Sequence, residues 1–177
     1  MQIFEASKTE LSGTTLDLGG NDFSHNISNY FNGNYLIQFA DKFPKDGKTI
    51  KVDLELDKTL TQKFDNICLM NILEHIKNYK NVINFSNNVL NLNGRIIGSV
   101  PFLFKIHYSP NDYFRFTEQL LYEEFKDSGF EQIVIKPLSK GIFSNIYATI
   151  FDYTKKIPLL NILLIIFCLI LDKIFFF

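Results

Sequence analysis

Six short apolar runs, separated by turns or helical stretches, restrict this chain to few architectures. Thr14-Thr15-Leu16-Asp17-Leu18-Gly19-Gly20 reads as a strand entering a tight turn. Tyr35 to Asp41 and Thr49 to Asp53 are the second and third strands, each closed by an acidic residue. The fourth, Asn66 to Asn71, passes into Leu73-Glu74-His75-Ile76; the fifth, Arg95 to Pro101, follows an Asn93-Gly94 turn; the sixth is Glu131 to Ile135. Between the fourth and fifth, Val82, Phe85, Val89, Leu90 and Leu92 recur at helical spacing as far as Asn93-Gly94. Thr117 suits the N-cap of a helix with Leu120, Leu121 and Phe125 on its apolar face and Ser128-Gly129 at its end. A short helix is expected over 24–31, and Pro44 with Gly47 predicts a turn between the second and third strands. Strands alternating with helices predict an α/β fold with a mainly parallel sheet of six strands and helices on both faces.

A chain of 177 residues is enough for one core, and 46% hydrophobic against 21% charged residues argues against disorder. The net charge is −1 and basic residues are scattered, so no nucleic-acid partner is expected. Cys68 and Cys168 lie far apart in apolar runs, which predicts buried free thiols in a reducing compartment and not a disulfide or a zinc site. Met1-Gln2-Ile3-Phe4-Glu5 lacks a charged start followed by an apolar run. No secretory signal is therefore expected, and the cytoplasm is the expected location.

In an open parallel sheet, ligands bind outside the carboxyl ends of the strands, near the point where strand order reverses. Gly19 and Gly20, closing the first expected strand, let the backbone approach a ligand. Asp41 closes the second strand about 24 residues after Asp17, near the roughly 20-residue spacing at which an acidic residue holds ribose hydroxyls. A carboxylate accepts both hydrogen bonds of a vicinal diol. Asp53, at the third strand's end, is placed to accept from an adenine amino group by the same logic. Each acid alone is more often a solvated strand-end charge; three at successive strand ends point to an adenosyl ligand.

Leu16-Asp17-Leu18-Gly19-Gly20, Val52-Asp53-Leu54-Glu55, Lys63-Phe64-Asp65-Asn66-Ile67, Asn71-Ile72-Leu73-Glu74-His75-Ile76 and Leu92-Asn93-Gly94-Arg95-Ile96 follow one another in this order. The succession, over about 14–137, resembles class I S-adenosylmethionine-dependent methyltransferases of the type 11 group. The segment Pro110-Asn111-Asp112-Tyr113-Phe114-Arg115-Phe116-Thr117 is similar to a motif of a bacterial subgroup associated with glycan and cell-envelope biosynthesis. The resemblance implies a Rossmann-like domain over 1–138 that takes S-adenosyl-L-methionine. It implies cofactor contacts at Asp17, Gly19, Gly20, Asp41, Asp53 and Leu54, with Asn71 near the methionine moiety. The implied reaction is methyl transfer to a small-molecule or saccharide acceptor, with oxygen as the expected atom.

His107 and Asp112, beyond the fifth strand, are the expected catalytic residues, and Tyr113 and Arg115 the expected substrate contacts. His107 ranks first because imidazoles titrate near neutrality. The alternative for Asp112 and Arg115 is an ion pair bracing the loop, with Thr117 capping the next helix. His75 is read as a packing or hydrogen-bonding histidine, His25 carries no signal, and no His, Asp or Glu spacing suggests a metal site. Where the family has its second glycine this chain has Asn21, which keeps open a catalytically inactive fold acting as a membrane or protein docking module. A nicotinamide-dependent oxidoreductase would need Gly-x-Gly-x-x-Gly, which Gly19-Gly20-Asn21-Asp22-Phe23 lacks.

Residues 139–177 read as a separate apolar helical segment, in which only Pro158 and Asn161 interrupt the run from Ile157 to Leu171. A helix apolar all round must be buried in protein or lipid. That run spans about 22 Å, short of the roughly 30 Å hydrocarbon core. In the resembled subgroup such an insert returns to the sheet, which favours lying on a membrane over crossing it. Lys155 and Lys156 suit anionic headgroups. Contact of 157–177 with the inner membrane face is therefore expected, with a lipid-linked saccharide among the acceptors; docking on the domain or at a dimer interface is the alternative.

Overall fold

The computed structural model describes residues 5–20, 27–58, 60–108, 110–138, 141–154 and 156–175. Its strands are β1 (Glu10–Leu18), β2 (Asn32–Asp41), β3 (Ile50–Lys51), β4 (Phe64–Met70) and β5 (Leu90–Ser99). They form one sheet in the order β3-β2-β1-β4-β5, and every pairing is parallel. Helix α1 (Tyr79–Val89) joins β4 to β5, and α2 (Glu118–Asp127) follows β5. The domain is an α/β, Rossmann-like fold.

Side chains alternate across a strand, and this builds two cores of unequal size. Leu16 and Leu18 of β1 and Ile67 and Leu69 of β4 meet Val82, Phe85 and Val89 of α1, all buried. Each such side chain contributes about 1.5–3 kcal/mol by leaving water. On the opposite face Leu11 and Cys68 pack with Ala6 and Phe31, flanked by Tyr35, Met70 and Ile97. The entry to α1 is held by Glu55, whose carboxylate accepts from the N–H groups of Lys77 at 2.8 Å and Asn78 at 2.9 Å. At the start of α2, Thr117 Oγ1 accepts from Leu120 N–H at 3.2 Å. That helix ends at Gly129, φ 86, where Phe130 N–H reaches the Phe125 carbonyl at 3.1 Å.

Among the described residues the sheet has five strands where six are expected. Residues 131–135 pair with no strand: Gln132 sits at φ 52, which breaks the extended run, and Val134 is 73% exposed. Helix α1 stops at Val89 and not at Asn93-Gly94. Leu90 turns extended and pairs with Phe64, whereas Asn66 pairs with Arg95, so 91–94 bulge from the ladder around Asn93 at φ 63. Leu92, expected on the helix face, is 93% exposed. Only two residues of the expected third strand pair, Ile50 and Lys51 with Ala40 and Asp41. Of the helix expected over 24–31, Ile27–Tyr30 form a 3-10 turn; Asn21 and His25 lie outside the described residues.

The chain divides into two compact units, 1–101 with 107–135 and 102–106 with 136–177. The second contains an antiparallel hairpin of α3 (Ile142–Thr154) and α4 (Pro158–Phe175). Both polar side chains of α4 that face α3 are satisfied within the hairpin. Asn161 Oδ1 accepts from Tyr147 and Thr154 hydroxyls, each at 2.9 Å. Asp172 accepts from Phe143 N–H at 2.9 Å and Ser144 N–H at 2.8 Å, which caps α3 from its neighbour. Helix α4 has a mean hydropathy of 2.3 and only 6% of its length is buried. Its 18 residues span about 27 Å. By length and composition it could cross a membrane.

Candidate functional site

Strand β1 pairs on one side with β2 and on the other with β4, so the direction of sheet growth reverses at β1. The crevice outside such a reversal is the usual ligand position. Gly19 leaves β1 at φ 85, and its N–H bonds the Ala40 carbonyl at 2.8 Å. Asn71 leaves β4 at φ 53, with its side-chain oxygen accepting from the Ser99 hydroxyl at 3.1 Å. Asp41 is the last residue of β2, and Asp53 lies just past β3. Gly19, Gly20, Asp41, Asp53 and Asn71 thus stand along one edge, at the carboxyl ends of four neighbouring strands.

Their side chains are not equally available. A Cβ on Gly19 would stand 2.7 Å from Ile72 Cδ1, and one on Gly20 2.5 Å from the Phe39 ring, so packing within the fold already accounts for small residues at both positions. Asp41 Oδ1 accepts from Phe43 N–H at 2.7 Å, and its Oδ2 has no bond among the described residues. Asp41 therefore keeps one carboxylate oxygen available as an acceptor. Asp53 is engaged twice, Oδ1 accepting from Glu55 N–H at 3.1 Å and Oδ2 lying 2.9 Å from Lys42 Nζ. The Lys42 contact holds its carboxyl below the usual range. An adenine would have to displace that lysine. Asp17 is buried and accepts from the Ser28 hydroxyl, and burial pushes its carboxyl up to about 6. Leu54 belongs to the core beneath α1.

A second group of residues gathers beyond β4 and β5. Arg115 grips Asp112 with both ends of its fork, Nη1 at 2.5 Å from Oδ1 and Nη2 at 2.8 Å from Oδ2. Asp112 Oδ2 also accepts from His107 N–H at 2.8 Å and lies 3.3 Å from His107 Nδ1. The Arg115 contact first, then the His107 N–H, holds the Asp112 carboxyl far below its ordinary value. Such a carboxylate is a weak base, and its contacts hold it against Arg115 and the His107 N–H. The bracing ion pair weighed from the sequence is formed, and Thr117 is the cap. Tyr113 donates its N–H to the Glu74 carbonyl at 2.7 Å and leaves its ring 45% exposed.

Glu74 occupies the 3-10 turn Leu73–His75, directly after β4. It is 0% exposed, and neither carboxylate oxygen has a hydrogen-bond partner. An ionised carboxylate left so costs several kcal/mol. Burial pushes its carboxyl upward, while its own nearby backbone N–H and then His75, His107 and Arg115 pull it down. His75 Nε2 lies 3.7 Å from Glu74 Oε1, and His75 Nδ1 faces the Asn111 carbonyl. The His75 and His107 rings meet edge to face, with centroids 5.0 Å apart. Sequence spacing did not unite Glu74, His75 and His107. The available signal was the Glu74-His75 pair leaving one strand and a histidine just beyond the next strand in the sheet.

Two surface hollows lie elsewhere. One, of about 600 Å³, is bounded by Glu118, Gln119, Tyr122 and 133–135; the other, of about 300 Å³, by 37–39, Asp46, Lys48 and Thr49. Neither includes a candidate residue. Compared with models of known protein families the chain matches none, and it matches no curated protein by sequence.

Proposed function

We propose that this chain is an S-adenosylmethionine-dependent methyltransferase that acts on a small-molecule or saccharide acceptor, at oxygen, beside a membrane. The observation that carries the reading is the reversal of strand order at β1, which sets Gly19 and Asp41 on adjacent strand ends. S-adenosylmethionine supplies an electrophilic methyl group on a sulfonium sulfur. Asp41 would hold the ribose, and the Gly19-Gly20 turn and Asn71 would flank the methionine end. His107, braced by Asp112, would take the acceptor's proton, and the exposed Tyr113 ring would lie against a saccharide. In-line displacement depends on alignment, which a loop braced by the Asp112–Arg115 pair can provide. The apolar surface of the α3–α4 hairpin supports attachment to lipid and, with it, a lipid-linked saccharide.

A second reading, a docking module without activity, is favoured by Ile72 packed beside Gly19 and by the Lys42–Asp53 pair, which already occupies the carboxylate proposed for an adenine. Calorimetry of the full chain with S-adenosylhomocysteine separates the two. Micromolar binding that Asp41→Ala abolishes supports the enzyme; absence of heat in the unmutated chain leaves the docking module.

A further inference from the structure

We propose that Glu74, His75 and His107 form a binding site for a divalent first-row transition metal ion, with zinc as its reference occupant. One ligand atom from each of the three residues lies within 4.8 Å of the others. Tetrahedral zinc with bonds of about 2.0–2.1 Å holds its ligand atoms about 3.4 Å apart, so side-chain rotations of an ångström or so close the set. The second, independent observation is Glu74 itself, wholly buried beside these rings with both oxygens unbonded.

The His75 ring is oriented as a metal ligand is, and His107 lies beside a carboxylate. A carbonyl only accepts, so the Asn111 oxygen facing His75 Nδ1 places the proton there and leaves the lone pair on Nε2, the nitrogen nearest Glu74. His107 Nδ1 faces the Asp112 carboxylate at 3.3 Å. A carbonyl or carboxylate beside the ring nitrogen that does not bind the metal is the usual surrounding of a metal-bound imidazole, and the Asn111 carbonyl supplies it to His75. Asp112 is itself neutralised by Arg115, so the charge left for a cation is that of Glu74. Two nitrogens and one carboxylate oxygen suit zinc and its neighbours, whereas magnesium and calcium take oxygen alone. Three protein ligands leave a fourth position for water or a hydroxyl, whose pKa would fall on coordination. This inference goes beyond the methyl-transfer reading and does not depend on it; with a metal on His107, the coordinated hydroxide, in place of that imidazole, would take the acceptor's proton.

The test uses the full chain without an affinity tag, stripped with chelator and then titrated with zinc against a chromophoric chelator. One zinc per chain at micromolar affinity or tighter is expected. Glu74→Gln and His107→Ala should each lower affinity at least 100-fold, and Asp112→Asn 10–100-fold through the orientation of His107. His25→Ala, replacing the remaining histidine, should leave affinity unchanged. Far-ultraviolet circular dichroism establishes that each variant is folded, and visible absorption of the cobalt form reports nitrogen ligation without reference to activity. Absence of stoichiometric binding overturns the proposal, as does binding that survives both Glu74→Gln and His107→Ala. Zinc binding without S-adenosylhomocysteine binding upholds this site and removes only the methyltransferase; the reverse removes only this site.

Discussion

Asp17 offers a measurable test of how the sheet is packed. Its carboxyl is buried against the smaller core and moves from 3.8 to about 6 on folding, burial being the dominant cause and the Ser28 hydroxyl a partial offset. The folded state therefore binds this proton more tightly than the unfolded chain. The stability it confers is complete below the unfolded value and is lost as pH rises through about 6. The displacement corresponds to about 3 kcal/mol in all, of which about 2 kcal/mol falls between about pH 4.5 and about pH 7.5. Asp17→Asn keeps an acceptor for Ser28 but cannot ionise, so it removes this dependence. Urea unfolding of both proteins at the two pH values gives the difference of differences directly, with other titrating groups cancelling. The variant should gain about 2 kcal/mol on the unmutated chain at the higher pH. Parallel pH profiles, or a variant that loses ground as pH rises, would show that Asp17 is solvated or paired in the fold and that the β1 packing described above is wrong.

Gly19→Ala forces a side chain into φ 85 and against Ile72 Cδ1, and should cost about 1–3 kcal/mol in chemical denaturation. Adding Ile72→Ala should recover the steric part only. Thr117→Ala removes the α2 cap and should cost about 1 kcal/mol, read as a lower urea midpoint with unchanged slope. Leu163→Asp with Phe167→Asp places two charges on the exposed apolar surface of α4. At about 2.5–3.5 kcal/mol each in a bilayer, they should abolish cosedimentation of the full chain with anionic vesicles; retention would mean that lipid does not cover this surface.

The central strands are legible in the sequence because they are buried on both faces. Ile67-Cys68-Leu69 is a continuous apolar run, and no other element accommodates one between turns so short. The margins are less legible, because a strand is a property of a pair. Ile133 and Ile135 have the right period, yet no strand among the described residues pairs with them and Gln132 bends the chain away. Leu90 and Leu92 continue the period of α1, but the ladder with Phe64 claims the first and exposes the second. The same rule sorts the site. Gly19 and Asp41 are readable as strand ends from local signals alone. Asp17, one residue from Leu16 and from Leu18, must point to the opposite face of β1, which its period could have revealed. Glu74, His75 and His107 come together only because β4 and β5 are neighbours and the loop after β5 folds back, with Tyr113 bonded to the Glu74 carbonyl.

Charge along the carboxyl edge divides it into two parts with different needs. Asp53 is neutralised by Lys42 and Asp112 by Arg115, whereas Asp41 and Glu74 form no ion pair with a lysine or arginine among the described residues. Asp41 is half-buried and within reach of water, so it is stable whether or not a ligand is bound. Glu74 is sealed from water, and a charge there is costly unless a proton or a cation accompanies it. A proton alone would satisfy the charge but would not account for two imidazoles gathered at Glu74, one of them with the Asn111 carbonyl behind its Nδ1. The energetic requirement of the fold is therefore strongest beyond β4 and β5. The recognition of a nucleoside, by contrast, would rest on an edge that is already stable on its own.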